Sequence, residues 1–241
     1  MRYGVLSDIH GNIDALDAAV RALESLEVEA WVCLGDLVGY GAEPQAVVNL
    51  VRRLECLTVR GNHDHAAIDP SLDASFNVWA AKAIAWTRDH LNDDALAWLA
   101  DLPLTGHRDD TLLVHAAPSD PARWPYILDM ATADRELREF EQSLCLFGHT
   151  HSPLTYTDAR GAGPVEDGTV IGYGDGVRAI VNVGSVGQPR DGDPAAAAGL
   201  LDTEERTVRL VRVGYDVDRA AGRIRAAGLP PLLADRLFDG R

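Results

Sequence analysis

Residues 2–10 of the chain, RYGVLSDIH, combine a short apolar run with two polar residues that follow it directly. Apolar side chains stand at both parities between 2 and 6, which is typical of a strand that is buried on both faces of a parallel sheet. Asp8 and His10 are two residues apart, so an extended backbone would project both side chains to the same side. The stretch therefore predicts an α/β fold with a site at the carboxyl ends of its strands.

The same pattern recurs four more times along the chain. Apolar runs predict strands at 30–34, 55–59, 111–115 and 143–147. Amphipathic helices are predicted between the first three strands, which gives a βαβαβ unit with parallel strands and right-handed crossovers. Polar groups end or follow each run: Gly35-Asp36, Gly61-Asn62-His63-Asp64, His115, and Gly148-His149-Thr150-His151. We therefore expect five loops that are distant in sequence to converge, with His149 and His151 paired as Asp8 and His10 are.

The remainder of the chain is predicted as a helical insert followed by a β-rich half. Residues 66–110 contain the insert, and a further helix is expected at 132–141. Gly-rich turns separate alternating strands in residues 150–215, so these are expected to form the hairpins of a second sheet. Residues 216–241 would supply a C-terminal helix and tail. The whole chain, 1–241, is expected to form a single domain.

Composition indicates an ordinary globular protein with an acidic surface. The 241 residues are 46% hydrophobic and 24% charged, with a formal net charge of −15. These values exclude collagenous, disordered and disulfide-scaffold classes. The negative charge disfavours long nucleic acids and anionic membranes as partners, but it does not exclude one small phosphate.

The three cysteines and the absence of targeting signals predict a cytoplasmic protein. Cys33, Cys56 and Cys145 lie in apolar runs without CxxC pairing, as buried thiols do. The sequence shows neither a secretory leader nor an apolar stretch long enough for a membrane span. We expect a small phosphorylated substrate as the partner, and the oligomeric state is left open.

The donor types after the strands predict a metal site. Imidazole, carboxylate and amide donors together suit manganese, iron, zinc or cobalt better than calcium or a thiolate-bound metal. If Asp36 bridges, six or seven ligands are enough for two ions about 3.5 to 4 Å apart. Any one of these residues alone is more often an ordinary polar group, so the ordered series carries the prediction.

The ordered series from Asp8 to His151 resembles the calcineurin-like metallophosphoesterase superfamily, with agreement continuing to Arg190. The stretches SDIHGN at 7–12, GDLVGYG at 35–41 and NVGSVGQPR at 182–190 are similar to its small bacterial branch. That branch is often labelled as phosphodiesterases or diadenosine tetraphosphatase-related proteins. The resemblance implies a four-layer α-β-β-α sandwich of two mixed sheets flanked by helices, with a dinuclear metal site at the carboxyl ends of the strands.

The resemblance also implies ligands for two divalent ions. Manganese is the expected ion, and iron, zinc, cobalt and nickel are the alternatives. The matched positions would divide as follows: Asp8, His10, Asp36 and His151 at one ion, and Asp36, Asn62, His115 and His149 at the other.

The implied mechanism assigns catalytic roles to the loop after the third strand. A hydroxide held between the ions would attack phosphorus in line, and His63 would protonate the leaving alkoxide. Arg60 and Asn62 would bind the substrate phosphate. Serine/threonine phosphatases of this superfamily pair the catalytic histidine with an aspartate where this chain has Gly39, so Asp64 or solvent would orient His63 here.

These features predict a metal-dependent phosphoesterase that hydrolyses a small phosphodiester or nucleotide. A serine/threonine phosphoprotein phosphatase is the alternative enzyme, and Gly39 counts against it. A non-catalytic scaffold on the same fold is the alternative from another class. Such scaffolds lose metal or catalytic positions, all of which are present in this chain.

Overall fold

Two mixed β-sheets, stacked face to face and covered by helices, form the computed structural model of this chain. It describes the backbone of residues 1–241 and the side chains of all but residues 73–75. The strands are β1 (Arg2–Leu6), β2 (Ala30–Cys33), β3 (Leu57–Thr58), β4 (Thr105–Arg108), β5 (Thr111–Val114), β6 (Leu144–Phe147), β7 (Leu154–Thr157), β8 (Gly161–Ala162), β9 (Val170–Gly172), β10 (Ala179–Asn182), β11 (Ala196–Asp202) and β12 (Thr207–Val213). The helices are α1 (Ile13–Glu24), α2 (Pro44–Arg53), α3 (Asn62–Ile68), α4 (Val78–Asp89), α5 (Asp93–Asp101), α6 (Met130–Glu136), α7 (Val217–Ala226) and α8 (Pro231–Asp239), with a 3-10 helix at Pro70–Ser75.

Each sheet contains a set of parallel strands. The first sheet has the order β3-β2-β1-β11-β12-β9, and the second has the order β4-β5-β6-β10-β7-β8. In the first sheet β1, β2 and β3 are parallel, as the βαβαβ pattern predicts. In the second sheet β5, β6 and β10 are parallel. The predicted α/β class with two mixed sheets flanked by helices is confirmed.

The strands after residue 150 divide between the two sheets. β7, β8 and β10 join the second sheet, whereas β9, β11 and β12 extend the first. The expectation that residues 150–215 form hairpins of the second sheet therefore needs correction. The hairpin of β11 and β12 was predictable from alternation, but its docking site was not. β11 pairs antiparallel with the free edge of β1, with Tyr3 opposite Leu201.

Apolar layers hold the four-layer sandwich together. Val5 of the first sheet and Leu146 of the second are fully buried in one cluster between the sheets. Leu16 of α1 packs in a second cluster on the outer face of the first sheet. Phe140 and Phe147 pack in a third cluster on the outer face of the second sheet. Burial of such side chains stabilises the fold by roughly 1.5 to 3 kcal/mol each.

The insert and the C-terminal helices extend the helical layer of the first sheet. Ile84 of α4 and Leu99 of α5 are buried in the same cluster as α1 and α2. The predicted helix at 132–141 is shorter and lies at Met130–Glu136. Helix α8 lies in the part of the chain that was expected to be a tail, where Pro230 and Pro231 argue against the continuation of a helix from α7. Pro231 instead occupies the first turn of α8, where its missing N–H costs no hydrogen bond.

The loop at 184–188 holds the turn after β1 in place. The Ser185 hydroxyl donates to the carbonyl oxygen of Asp8 at 2.7 Å, and the Gly187 N–H donates to the same oxygen at 3.0 Å. Gly187 lies so close to the turn that an added Cβ would clash with the carbonyl oxygen of Ile9. Glycine at 187 is therefore required for the close approach of the two loops.

We predict that Gly187→Ala destabilises the protein, because the backbone of two loops must move to admit a methyl group. Overpacking of this kind costs about 1 to 3 kcal/mol. Gly222→Ala is the matched control, since Gly222 lies in α7 with open space around it. The control should gain roughly 0.5 to 1 kcal/mol from helix propensity. Urea unfolding measures both variants, and equal stabilities would contradict the loop contact.

Candidate metal centre

Loops from both sheets bring four donor groups together at one buried point. Asp8 and His10 follow β1, Asp36 follows β2 and His151 follows β6, and one donor atom of each lies within 4.8 Å of the others. The Nε2 atom of His10 is 3.0 Å from that of His151 and 3.6 Å from Oδ2 of Asp36. The Nε2 atom of His151 is 3.4 Å from Oδ1 of Asp8. A buried group of this composition could hold a metal ion.

A second donor group adjoins the first and shares Asp36 with it. One donor atom each from Asp36, His115 and His149 lies within 4.8 Å of the others. The Nε2 atom of His115 is 3.3 Å from Oδ2 of Asp36 and 3.1 Å from Oδ1 of Asn62. The seven side chains predicted as metal ligands therefore lie in two adjoining groups, with Asp36 in both.

Backbone carbonyl groups determine the tautomer of three of these histidines. A carbonyl oxygen only accepts hydrogen bonds, so a ring nitrogen that faces it must carry the proton. The three Nδ1 atoms lie at hydrogen-bond distance from carbonyl oxygens: His10 from Val38 at 3.0 Å, His151 from Gln188 at 2.7 Å, and His115 from Leu34 at 2.7 Å. The neutral rings of His10 and His151 therefore present the lone pair of Nε2 to the centre, as metal-binding histidines do, and His115 would do the same on losing its Nε2 proton.

The centre consequently directs acceptor atoms at one another. The Nε2 lone pairs of His10 and His151 face each other, with carboxylate oxygens beside them. Nε2 of His149 is buried and has no hydrogen-bond partner among the described residues. Leaving one buried polar atom unsatisfied costs about 1 to 3 kcal/mol. A divalent cation would satisfy all these acceptors at once, so the residues present fit a metal.

Burial and mutual charge shift the pKa values of the centre in opposite directions. Burial raises the pKa of Asp8 to about 7. Burial also opposes ionisation of Asp36, but the positive charge of His115 and its hydrogen bond to Asp36 hold the pKa of Asp36 well below the usual range. Burial lowers the pKa of His115, yet the charge and hydrogen bond of Asp36 outweigh it and raise that pKa to about 9. Asp36 thus attracts positive charge to the point where the two groups meet.

The predicted ligands leave their strands in left-handed backbone conformations. The φ angle is 51° at both Asp8 and His10, 54° at Asp36, 68° at His149 and 61° at His151. The expectation that an extended backbone pairs Asp8 with His10, and His149 with His151, is therefore wrong in its geometry, although the side chains do converge. Left-handed conformations are uncommon for residues with a side chain, and they concentrate at functional sites.

Asp64 holds the turn after β2 in place. Its Oδ1 accepts hydrogen bonds from the backbone N–H of Leu37 at 2.9 Å and of Val38 at 3.3 Å. Its Oδ2 accepts from the N–H of Asp36 at 2.8 Å and of Gly61 at 3.0 Å. The carboxylate is fully buried and turned toward the backbone. These contacts make Asp64 a positioning residue for the Asp36 loop, and its catalytic role stays a prediction.

His63 lies at the border of the centre with a free ring nitrogen. Its backbone N–H donates to Oδ1 of Asp36 at 2.8 Å, and its Nδ1 is buried without a hydrogen-bond partner among the described residues. A Cβ added to Gly39 would clash with that Nδ1. Position 39 therefore faces the imidazole, and glycine there offers the ring no carboxylate partner. Burial lowers the pKa of His63 to about 4.

Arg60 interacts with the insert. Its Nη1 donates to the carbonyl oxygen of Ala100 at 3.3 Å, and its backbone N–H donates to the carbonyl oxygen of Pro103 at 2.7 Å. These contacts draw Arg60 toward the end of α5. Its predicted role in phosphate binding is therefore not supported by the geometry.

Arg190 is the arginine that lies beside the histidines, and sequence reasoning gave it no role. Its guanidinium carbon is 5.5 Å from the centre of the Tyr40 ring, and its Nη2 donates to Oε1 of Gln188 at 2.8 Å. Burial lowers the pKa of His151 well below its usual value, and the positive charge of Arg190 lowers it further. The only sequence signal for Arg190 is its place at the end of the NVGSVGQPR stretch.

Comparison with known proteins agrees with this fold and site. The model of the calcineurin-like phosphoesterase superfamily domain matches residues 1–206. The uncharacterized protein MJ0912 of Methanocaldococcus jannaschii is 35% identical over 242 residues, which cover 98% of this chain and 97% of its own. The crystal structure of a metallophosphoesterase from Sphaerobacter thermophilus has a TM-score of 0.90 and 37% identity, covering 100% of this chain and 99% of that chain.

A more distant match extends over part of the chain. Serine/threonine-protein phosphatase 2 of Escherichia coli strain K12 is 26% identical over 142 residues, which cover 55% of this chain and 65% of its own. The family model and the nearly full-length relatives decide the classification. The chain belongs to the calcineurin-like phosphoesterase superfamily, and its fold is that of hydrolases acting on phosphoesters. None of the helices described is both long and apolar enough to cross a bilayer.

We predict that Asp64→Asn lowers the free energy of unfolding by at least about 2 kcal/mol. The wild-type carboxylate accepts hydrogen bonds from backbone N–H groups with both oxygens, and the amide NH2 of asparagine cannot accept the bonds of the oxygen that it replaces. Asp89→Asn, at the exposed end of α4, is the matched control and should stay within about 0.5 kcal/mol of the wild type. Chemical denaturation measures both. An Asp64→Asn protein of unchanged stability, with an altered pH profile of turnover, would instead favour the catalytic role.

Proposed function

We propose that this protein is a metal-dependent phosphoesterase that hydrolyses a small phosphodiester or nucleotide with two divalent ions. The observation that carries the proposal is that both groups of possible metal ligands meet at Asp36. Its Oδ2 lies 3.6 Å from Nε2 of His10 in one group and 3.3 Å from Nε2 of His115 in the other. Such a centre needs positive charge, and the superfamily to which the chain belongs normally binds divalent metals. Mixed imidazole and oxygen donors suit manganese, and they also accept iron, zinc, cobalt or nickel.

The side chains of the centre divide the work of hydrolysis between them. Asp8, His10, Asp36 and His151 would hold one ion, and Asp36, Asn62, His115 and His149 the other. When bound, the ions supply positive charge for the phosphate oxygens and acidify water for attack on phosphorus.

His63 supplies the proton for the leaving oxygen in this proposal, which requires that the negative charge of a bound phosphate raise the pKa of His63 from the value of about 4 that burial gives it. Its ring lies 4.8 Å from that of His10, centre to centre, so it borders the donor groups. Its Nδ1 is buried against Gly39 without a hydrogen-bond partner among the described residues, so Nε2 is the ring nitrogen that would transfer the proton. A positioned general acid contributes about two to four orders of magnitude to the rate.

Arg190 would bind the phosphate through its guanidinium group. The Tyr40 ring beneath it contacts His63, with ring centres 4.5 Å apart. Its backbone N–H donates to the carbonyl oxygen of His151, which ties it to the metal ligands. A guanidinium group at this position matches the geometry of phosphate oxygens.

Two alternatives are weaker. A phosphoprotein phosphatase is supported by the partial match to the Escherichia coli enzyme. Against it, glycine at position 39 gives His63 no carboxylate partner. A non-catalytic scaffold would not need buried acceptors directed at one another. The intact donor groups therefore favour an enzyme over a scaffold.

We predict that the purified protein hydrolyses bis-p-nitrophenyl phosphate when manganese is supplied and loses this activity on full chelation. Asp36→Asn should lower turnover by at least two orders of magnitude, because it removes charge shared by both donor groups. Asp89→Asn serves as the control and should retain wild-type activity. Release of p-nitrophenol measures the rate, and activity that survives chelation would refute the metal mechanism. A rate on phosphopeptides above that on phosphodiesters would instead favour the phosphatase alternative.

We predict that Arg190→Gln raises the KM for the same substrate about tenfold or more and leaves the metal content unchanged, because a charge-assisted hydrogen bond to phosphate contributes about 1.5 to 3 kcal/mol. Arg60→Gln is the paired control and should change KM by less than about twofold. Steady-state kinetics and metal analysis together test the assignment. A larger effect at Arg60 than at Arg190 would reverse it.

A further inference from the structure

A cavity of about 530 Å³ opens beside His63 and is continuous with the candidate metal centre. Its volume lies within the range of small-molecule sites. Asn62, His63 and His149 line it and also belong to the centre or its border. A ligand in the cavity can therefore remain attached to a phosphate at the metal ligands.

The walls of this cavity are mostly aromatic. Tyr40 and Phe76 lie on the side of His63, with ring centres 4.5 Å and 4.8 Å from the imidazole. Trp124 and Tyr126 come from the loop between β5 and α6. Aromatic rings on several sides are suited to a planar group, which they can stack upon.

Tyr126 offers one ring face to a ligand. Its other face is stacked on the imidazole of His149, with ring centres 4.0 Å apart and planes inclined by 23°. Tyr126 is 52% exposed even though it is so close to the buried centre. The ring is thus held in position by a metal-ligand histidine and remains accessible from the cavity.

Trp124 is held in a costly conformation. Its φ angle is 49°, in the left-handed region, and bulky residues are rarely found there. Its indole Nε1–H is buried without a hydrogen-bond partner among the described residues. Backbone strain and an unsatisfied donor at one residue mark a position whose side chain is placed for function.

Polar groups at the cavity favour a heteroaromatic ring over a plain phenyl ring. Asn77 and Arg123 line the cavity among the aromatic residues. These side chains can hydrogen-bond to the edges of a ring that carries nitrogen and oxygen atoms. A nucleobase combines such edges with a stacking face.

We propose that this cavity binds the nucleobase of a nucleoside that is the leaving alcohol of the substrate, by stacking on Trp124 and Tyr126. The inference rests on the proposed function, in which His63 protonates the leaving oxygen, because the cavity lies on the His63 side of the centre. The substrate class is thereby narrowed to nucleoside phosphate esters. Hydrolysis breaks the P–O bond to the nucleoside, water supplies the oxygen that phosphorus gains, and the nucleoside leaves with a proton.

The test uses adenosine and methyl ribofuranoside, which differ in the presence of the base. Both are titrated into the manganese-loaded protein and followed calorimetrically. We expect adenosine to bind about tenfold or more tightly than the riboside, as stacking on one aromatic side chain predicts. Equal affinities, or no binding of adenosine, would overturn the proposal.

Variants locate the binding site. Trp124→Leu should lower the preference for adenosine at least about fivefold, with Tyr126 retaining the remainder, and Trp124→Phe should keep most of it because the ring is conserved. Trp98→Leu is the matched control, since Trp98 is also half-buried but packs against the core of the insert. A preference that Trp124→Leu leaves unchanged, or that is lost in Trp98→Leu, would place the site elsewhere. Thermal unfolding of each variant checks that it folds, and Tyr126→Leu replaces Trp124→Leu if the latter does not.

A kinetic measurement separates this inference from the proposed function. Adenosine should inhibit manganese-dependent hydrolysis of bis-p-nitrophenyl phosphate competitively, with an inhibition constant that rises at least about fivefold in Trp124→Leu. Non-competitive inhibition would contradict a leaving-group site. A protein that binds adenosine through Trp124 but hydrolyses no phosphoester would refute the proposed function and leave the nucleobase site standing.

Discussion

The structure depends on a buried centre in which hydrogen-bond acceptors of imidazole rings and carboxylates face one another. The imidazole rings of His10 and His151 are held by backbone carbonyl groups so that each directs an unprotonated Nε2 at the carboxylates of Asp8 and Asp36. Such an arrangement is unfavourable in an apolar interior unless positive charge occupies its middle. The protein must therefore hold these groups in place by other means, and the surrounding loops do so.

Two kinds of interaction hold the loops. The buried carboxylate of Asp64 accepts hydrogen bonds from backbone N–H groups around Asp36, which keeps that turn in its left-handed conformation. The loop at 184–188 holds the turn that carries Asp8 through Ser185 and Gly187. Both anchors act on the backbone and leave the donor atoms free. The strain of the centre is thus offset by hydrogen bonds placed outside it.

Sequence reasoning anticipated the centre because strand burial and loop position follow simple periodicity. The five apolar runs became strands, and the polar groups after them converged as parallel topology requires. It was wrong about local geometry, since no periodicity reveals that Asp8 and His10 occupy left-handed conformations. Asp64 was assigned to catalysis because it adjoins His63, and only the fold shows that its carboxylate turns toward the backbone. Arg190 and Trp124 were missed because each is a single residue in a loop, where position depends on tertiary contacts.

Anomalous diffraction from crystals grown with manganese tests the central claim most directly. We expect two peaks about 3.5 to 4 Å apart, one among Asp8, His10 and His151 and the other among Asn62, His115 and His149, with Asp36 in contact with both. A dataset without peaks at these residues, or with manganese bound only at the exposed acidic surface, would contradict it.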